Sequence, residues 1–374
     1  MSARLTRLKI NRFRDTKPTE LHFSAGFNVL LGLNGTGKTT LLDLIAAICS
    51  DDLSPYAKEA FDVEYEVLYS EPAELLAVHV WWEANEGDEP GKYEFRVAIG
   101  AMVWTNGSTY GSGSTADGVA QLVGTPSENS FVLRLVTMSR LPSPQLGGWF
   151  AAIQGTRIWP VRMDEGLWFF HQLLGEEPTA FAFMFREEWL KASEDSAYGS
   201  WNGTHLEWLA EAIRMMGFDS IEFSVSVGPT GVPVLKNFAM RLPGRGWVDS
   251  ERLSFGQKRL FAFHCRLAVM THWGTSLPFI ADELSNGLHH AWIQHCMEKL
   301  EGMQSFLSAQ GPLVLDKLPW GSAAELQKMF VRCERQGASI LWRNLTEEEA
   351  LELHLSGEQG YEKTSETLKR QGLW

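Results

Sequence analysis

Cysteine is scarce: the 374 residues hold four, Cys49, Cys265, Cys296 and Cys333. No two are close in sequence, so the chain offers neither a zinc-finger pattern nor a disulfide framework, and the thiols read as buried groups of a cytoplasmic protein. Long apolar runs are missing too. None approaches the roughly 18 residues that a membrane-spanning helix needs, and Arg4, Arg7 and Lys9 interrupt the first ten residues, which is unlike a secretory leader. Positive charge is in deficit: 46 acidic residues against 33 basic ones give a net charge of −13. A chain so charged is not expected to coat nucleic acid as a whole, and any contact with a polyanion must be local. Heptads, a C-x-x-C hook and repeats of fixed period are all absent, which excludes long coiled-coil tethers and solenoids.

What remains is ordinary globular composition, with 44% hydrophobic and 21% charged residues. The length suits two to three domains, or one large domain with an insertion. The 15 tryptophans and 21 phenylalanines are spread along the chain and read chiefly as core.

Leu5, Leu8, Ile10 and Phe13 alternate loosely with basic residues, as in a strand with one solvated face. Residues 27–31 form a short continuous apolar run bounded by Gly26 and Gly32, the pattern of a strand buried on both faces. Helical spacing follows over 39–49. From 61 to 103 the texture turns to aromatic and β-branched runs at 63–69, 76–82 and 93–98, which predict antiparallel sheet. Residues 105–118 are rich in Gly, Ser and Thr and predict a surface loop. Helices are expected at 164–174, 179–192 and 205–216, and strands at 220–227 and 234–242. Then come helix 254–271, strand 278–281, helix 288–300, strand 304–308 and an α/β tail.

Three motifs carry chemistry. The first is Gly32-Leu33-Asn34-Gly35-Thr36-Gly37-Lys38-Thr39, with Thr40 behind it: G-x-x-x-x-G-K-[ST] between a buried strand and a helix. Glycines there let backbone N–H groups turn toward phosphates, the helix N-terminus adds positive potential, Lys38 reaches the β and γ phosphates, and the Thr39 hydroxyl ligates Mg²⁺. The second is the apolar run Phe279-Ile280-Ala281 ending in Asp282 and Glu283. Asp282 suits Mg²⁺ held through water, and Glu283 suits a general base for the attacking water. The third is Leu253-Ser254-Phe255-Gly256-Gln257, where Ser254 reads as a helix N-cap and Gly256 as a point of close backbone approach. Residues 347–349, three glutamates, read as a solvated helix start.

Here the sequence resembles the ATP-binding cassette superfamily, whose L-S-x-G-Q loop it reproduces. In that superfamily the matching serine and glycine bind the γ-phosphate of ATP held by the opposite subunit, so the resemblance assigns Ser254, Gly256 and Gln257 to nucleotide binding across a dimer. Leu284-Ser285-Asn286-Gly287-Leu288-His289-His290 is similar to the stretch that follows the acidic pair in the recombination and SMC-like ATPases, above all in the ATPase half of OLD-type nucleases. Ile10-Asn11-Arg12-Phe13-Arg14 is similar to the first strand of that branch, which puts Arg14 near the nucleotide. The likeness covers roughly 1–50 and 245–320.

Besides the missing heptads and C-x-x-C hook, two departures follow. Where the branch carries a histidine that touches the γ-phosphate, this chain has Gln310, which cannot carry a proton or positive charge and so implies slow hydrolysis. The acidic pairs of a nuclease module are missing after Asp282, where Asp316 is the sole aspartate, so the expectation is an ATPase without its own nuclease. The glutamine of the cassette Q-loop is not singled out; Gln145, Gln154 and Gln172 all qualify, with 158–162 as a nearby strand.

The expected fold is therefore an α/β, P-loop ABC-type ATPase, a mixed sheet with flanking helices carrying an antiparallel β-subdomain and a helical insertion. The expected division is 1–60 with 220–340 as the ATPase core, 61–130 as the β-rich part, 131–219 as a helical lid, and 341–374 as a tail. The implied cofactors are ATP and Mg²⁺. The leading function is ATP-dependent association of subunits, as a dimer or multiples of dimers, controlling a separate effector such as a nuclease or toxin in antiphage defence. Repair or recombination on DNA is the alternative, as is an ATP-gated scaffold with vestigial hydrolysis. The dense basic segment Arg4, Arg7, Lys9, Arg12, Arg14 and Lys17 reads as a solvated strand face or, alternatively, as a DNA contact.

Overall fold

The structure, a computed structural model, describes residues 3–49, 53, 56, 58–69, 75–83, 92–99, 102–106, 120–123, 126–127, 130–131, 134–137, 198–201, 207–227, 233–249, 252–272, 278–309 and 312–373. Gln310, the three Q-loop candidates, the segment 158–162 and the helices expected at 164–174 and 179–192 lie outside the described residues. The chain divides into two compact units: Met1–Pro160, Thr275–Asp282 and Leu300–Trp374 form the first, and Val161–Gly274 with Glu283–Lys299 the second.

The first unit opens with β1 (Ala3–Phe13), β2 (Thr19–His22), β3 (Phe27–Leu31) and helix α1 (Lys38–Cys49), followed by β4 (Phe61–Tyr69), β5 (Leu75–Glu83), β6 (Lys92–Ile99) and β7 (Met102–Asn106). An antiparallel six-stranded sheet of order β2-β1-β4-β5-β6-β7 takes all of these strands but β3. Its buried face is legible residue by residue. In β5, Leu76, Val78, Val80 and Trp82 are buried and their neighbours are not, the period of two that one solvated face demands. In β1 the buried residues Leu5, Leu8, Ile10 and Phe13 break that period twice, and register shifts against β4 fall at Leu5/Arg7 and Ile10/Arg12. A bulge inserts one residue and returns the next apolar side chain to the core face. The opposite face carries charge in pairs: Arg7 with Glu20 and Glu66, and Lys9 with Glu64.

Two short ladders, β8 (Ala120–Val123) with β11 (Arg134–Thr137) and β9 (Pro126–Ser127) with β10 (Ser130–Phe131), follow in chain order. The second unit contains β12 (Tyr198–Trp201), α2 (Glu207–Met215), β13 (Ser220–Val227), β14 (Pro233–Leu242), β15 (Gly246–Asp249) and α3 (Phe255–His272). Its four strands form an antiparallel sheet in chain order. Thus the stretch read as a helical lid, 131–219, also supplies strands at 134–137 and 198–201.

The chain then returns to the first unit for β16 (Phe279–Ala281), crosses the second unit through α4 (His290–Leu300), and comes back as β17 (Ser305–Ser308), α5 (Pro312–Leu315), α6 (Ala323–Met329), β18 (Phe330–Gln336), β19 (Ser339–Asn344), α7 (Glu347–Glu358) and α8 (Tyr361–Arg370). The second sheet of the first unit has the order β16-β17-β3-β18-β19, parallel except for the last hairpin strand. All five residues of β3 and all four of β17 are buried, the polar Asn28, Ser305 and Ser308 included, as befits central strands of a doubly covered parallel sheet. The β18–β19 hairpin runs through residue 340, so 341–344 lie inside this sheet and only α7 and α8 follow it.

One core joins the two sheets of the first unit. The α1 face (Leu41, Leu42, Leu44, Ile45, Ile48) packs with Phe13, Val63 and Trp82 of the antiparallel sheet and with Phe306, Val331 and Trp342 of the mixed one. Buried Gln304 adds a polar stitch: its side-chain amide donates to the carbonyls of Leu5 and Ser24, and its oxygen accepts from the Leu5 N–H at 2.9 Å. Among the described residues no helix is long and apolar enough to cross a membrane.

Candidate functional site

The loop 32–37 leaves the centre of the mixed sheet and opens α1. Gly32 has φ of +152°, and a Cβ built there would stand 2.2 Å from the Cys333 carbonyl oxygen, so no larger residue fits. Three side chains of the β18–β19 hairpin support the loop from below. Arg335 donates to the Gly35 carbonyl at 3.1 Å, the Trp342 indole N–H points at the Thr36 carbonyl at 3.4 Å, and Ile340 with Trp342 packs under Gly37. The Thr36 hydroxyl closes the turn onto the Leu33 carbonyl at 2.7 Å. Leu33, Asn34 and Gly35 form the exposed tip.

Lys38 is buried, and its Nζ donates to the Gly32 carbonyl at 2.7 Å and to the Leu33 carbonyl at 2.9 Å. The ammonium is thereby held over the loop, at the N-terminus of α1. One residue on, the Thr39 hydroxyl donates to Asp282 Oδ2 at 2.6 Å. Asp282 follows β16 directly, and its other oxygen accepts from the Ser308 hydroxyl at the end of β17. A hydroxyl and a carboxylate in contact beside an ammonium and a glycine loop form the donor set that a divalent cation and a triphosphate require. The residues fit ATP and Mg²⁺ on that ground. Thr40 continues α1 in a half-buried position.

Arg14 is turned toward a carboxylate. Its Nε and Nη2 donate to the two oxygens of Glu59 at 2.6 and 2.7 Å, and its guanidinium lies 5.3 Å from the centre of the Tyr56 ring. The Glu59 hydrogen bonds raise its pKa further, against the opposing effect of partial burial. Among the described non-glycine residues only Arg14 (φ +46°) and Glu283 (φ +49°) have left-handed backbone, conformations that persist where surrounding structure imposes them and that cluster at functional sites.

The second unit holds the other motif. Ser254 and Gln257 make a reciprocal cap at the start of α3: Gln257 N–H donates to Ser254 Oγ at 3.2 Å, and Ser254 N–H to Gln257 Oε1 at 2.9 Å, satisfying two of the donors a helix start leaves open. Ser254 stays exposed while Leu253 is buried. Gly256 lies under the 284–288 turn, where a Cβ would meet the Gly287 carbonyl oxygen at 2.2 Å. In the same unit, buried Arg259 donates through Nη2 to the Glu283 carbonyl. The Asn286 amide donates to the Glu283 carboxylate at 3.2 Å. Asp282 and Glu283 are consecutive, and the chain passes from the first unit to the second between them.

The structure thus brings Gly32, Lys38, Thr39 and Asp282 together in the first unit, and Ser254, Gly256, Gln257 and Glu283 into the second. Sequence reasoning missed Ser308, Arg335, Trp342 and Arg259 as supporting groups. It also misread residue 349: Glu349 is a half-buried anchor, bonded to Arg332 at 2.6 Å and to Arg343 at 2.6 and 2.7 Å. Of the basic residues of this segment, Arg7 and Lys9 on β1 and Arg14 just beyond it are paired with glutamates.

A family model described as an AAA domain matches residues 7–89. The DNA replication and repair protein RecF of Vibrio cholerae is 51% identical over 41 residues, 11% of this chain and 11% of the relative. RecF of Cytophaga hutchinsonii is 44% identical over 45 residues, 12% of each. The aligned stretch therefore spans about a tenth of these relatives' length. Among solved structures, the Smc head bound to the C-winged helix domain of ScpA matches with a TM-score of 0.51 at 14% identity, covering 93% of this chain and 99% of that one. An Smc head with an extended coiled coil bound to the C-terminal domain of ScpA, derived from Pyrococcus furiosus, matches with a TM-score of 0.50 at 12% identity, covering 96% of this chain and all of that one. The fold, mixed and antiparallel sheets with flanking helices, is similar to that of Smc heads. The AAA match and the short RecF identity support an ABC-superfamily ATPase of the RecF/SMC-like kind.

Proposed function

We propose that this chain binds ATP with Mg²⁺ and hydrolyses it, and that two copies associate around the nucleotide, in the service of DNA repair. The observation that carries the reading is the Thr39–Asp282 hydrogen bond at 2.6 Å beside the buried Lys38 ammonium. The loop amides and Lys38 would hold the phosphates, and Thr39 and Asp282 the cation. Bound Mg²⁺ supplies charge neutralisation on the phosphate oxygens. Glu283, positioned by Asn286 and by Arg259 on its carbonyl, is the residue suited to take a proton from the attacking water. Exposed Ser254, capped so that its loop is rigid, suits a γ-phosphate held by a second copy. Association then depends on nucleotide state, which is how ATP becomes a mechanical signal.

The repair reading draws on the RecF identity. The pairing of Arg7, Lys9 and Arg14 with glutamates argues against β1 as a strong DNA contact. A second reading, control of a separate effector such as a nuclease in defence, is supported by the OLD-like sequence of 284–290. The test is light scattering of Glu283→Gln with and without ATP. The expected result is an ATP-dependent dimer that persists in the variant and dissociates in the parent as ATP is consumed. Failure of the purified protein to bind a fluorescent ATP analogue would overturn the proposal, and identical behaviour of parent and variant would reduce it to a scaffold. DNA binding whose affinity falls as salt rises supports the repair reading; no binding at low salt removes it.

A further inference from the structure

Three helices of the second unit bring Glu211 (α2), His264 (α3) and His295 (α4) to one point. The two imidazoles stack with centroids 5.0 Å apart and planes at 22°, and their Nε2 atoms are 3.0 Å apart. His295 Nδ1 lies 3.8 Å from Glu211 Oε1, and the other carboxylate oxygen is held by Lys299 Nζ at 2.8 Å. One ligating atom from each of the three residues falls within 4.8 Å of the others. His264 is 2% exposed, whereas the Glu211 side chain is 40% exposed and opens the cluster to solvent.

We propose that Glu211, His264 and His295 form a site for a divalent cation of the zinc class. Two imidazole nitrogens that ligate one zinc tetrahedrally at about 2.0–2.1 Å stand about 3.4 Å apart; the two Nε2 atoms are 3.0 Å apart, and Glu211, which faces His295 at Nδ1, would swing toward that pair to complete the site. A carboxylate supplies the third ligand and water the fourth, on the side open to solvent. Lys299 fixes the far carboxylate oxygen, the outer support that metal-binding carboxylates ordinarily have. Two nitrogen donors favour zinc over magnesium or calcium, which prefer oxygen. The plain alternative is a hydrogen bond between the two rings, with Glu211 paired to Lys299.

The site ties three helices together. α3 begins at the Ser254 cap and α4 follows the turn that Glu283 starts, so a bound cation would brace the element that carries the signature residues. That consequence rests on the proposed ATPase reading; cation binding does not. The test uses full-length protein freed of any affinity tag, magnesium and nucleotide. Zn²⁺ is titrated calorimetrically, and Co²⁺ is followed by its visible absorption. A single equivalent should bind, with the intense bands of tetrahedral cobalt. His295→Gln and Glu211→Gln should each weaken binding at least about 10-fold and abolish those bands. Glu211 is partly exposed, so its variant folds even if the histidine variant does not. Lys38→Ala should leave zinc binding intact while removing nucleotide binding. The proposal is overturned if no saturable equivalent of zinc binds, or if binding in Glu211→Gln equals that of the parent.

Discussion

Replacing Glu349 by glutamine should cost about 3 kcal/mol at neutral pH, and the cost should disappear in acid. Burial alone would raise the pKa of this carboxyl. Hydrogen bonds from Arg343 and from the Thr346 backbone, with the charges of Arg343 and Arg332, outweigh burial and hold it at about 2. The gap from the ordinary 4.5 corresponds to roughly 3 kcal/mol. The Glu349 and Arg332 side chains are each 17% exposed, so the pair is partly shielded from solvent and its loss lies at the low end of the roughly 3–5 kcal/mol expected when one partner of a fully buried pair is removed. Because the folded pKa is depressed, the stabilisation is complete above the unfolded value and is lost as pH falls from about 4.5 toward 2. The assay is urea unfolding of parent and variant across that range. Their difference should be flat from neutral pH down to about pH 5 and should shrink below it. A difference that stays constant into acid, or that is under about 1 kcal/mol at neutral pH, refutes the reasoning.

Gly32→Ala should abolish binding of a fluorescent ATP analogue, because its Cβ would collide with the Cys333 carbonyl 2.2 Å away; circular dichroism checks that the sheets persist. Gly256→Ala should disturb the 284–288 turn through the Gly287 carbonyl, also 2.2 Å away, and light scattering should show ATP-dependent association lost while nucleotide still binds. Gln304→Leu removes the partner of the Leu5 N–H and carbonyl, at roughly 1–3 kcal/mol for each group left unpaired, and should lower the thermal midpoint with little effect on nucleotide affinity.

Much of this site is readable along the chain because its parts are local. The run 27–31, the glycine loop and the apolar face of α1 are contiguous, and so are the Ser254–Gln257 cap and the run ending at Asp282. Alternation in β5 announces a half-solvated strand, and the looser alternation of β1 still does so, although the bulges that shift its phase are not themselves legible. Contacts between distant segments leave no such trace. Arg335 reaches Gly35 and Trp342 reaches Thr36 across some three hundred residues, through single side-chain bonds to backbone that obey no periodicity. Glu349 looked like one of three solvated glutamates because Arg332 and Arg343 come from a hairpin that precedes it. Ser308 gave no signal of its own; only the pairing of β16 with β17 sets it beside Asp282.

The position of β3 has a consequence for synthesis. This strand emerges early, yet its two neighbours are β17 and β18, and the hairpin that props the glycine loop ends at Asn344. A nascent chain on the ribosome can assemble the antiparallel sheet long before it can finish the nucleotide cradle. The glycine loop thus waits some 300 residues for the hairpin that props it, and a messenger truncated before codon 330 would yield a polypeptide that carries the whole phosphate-loop motif but lacks the scaffold to shape it.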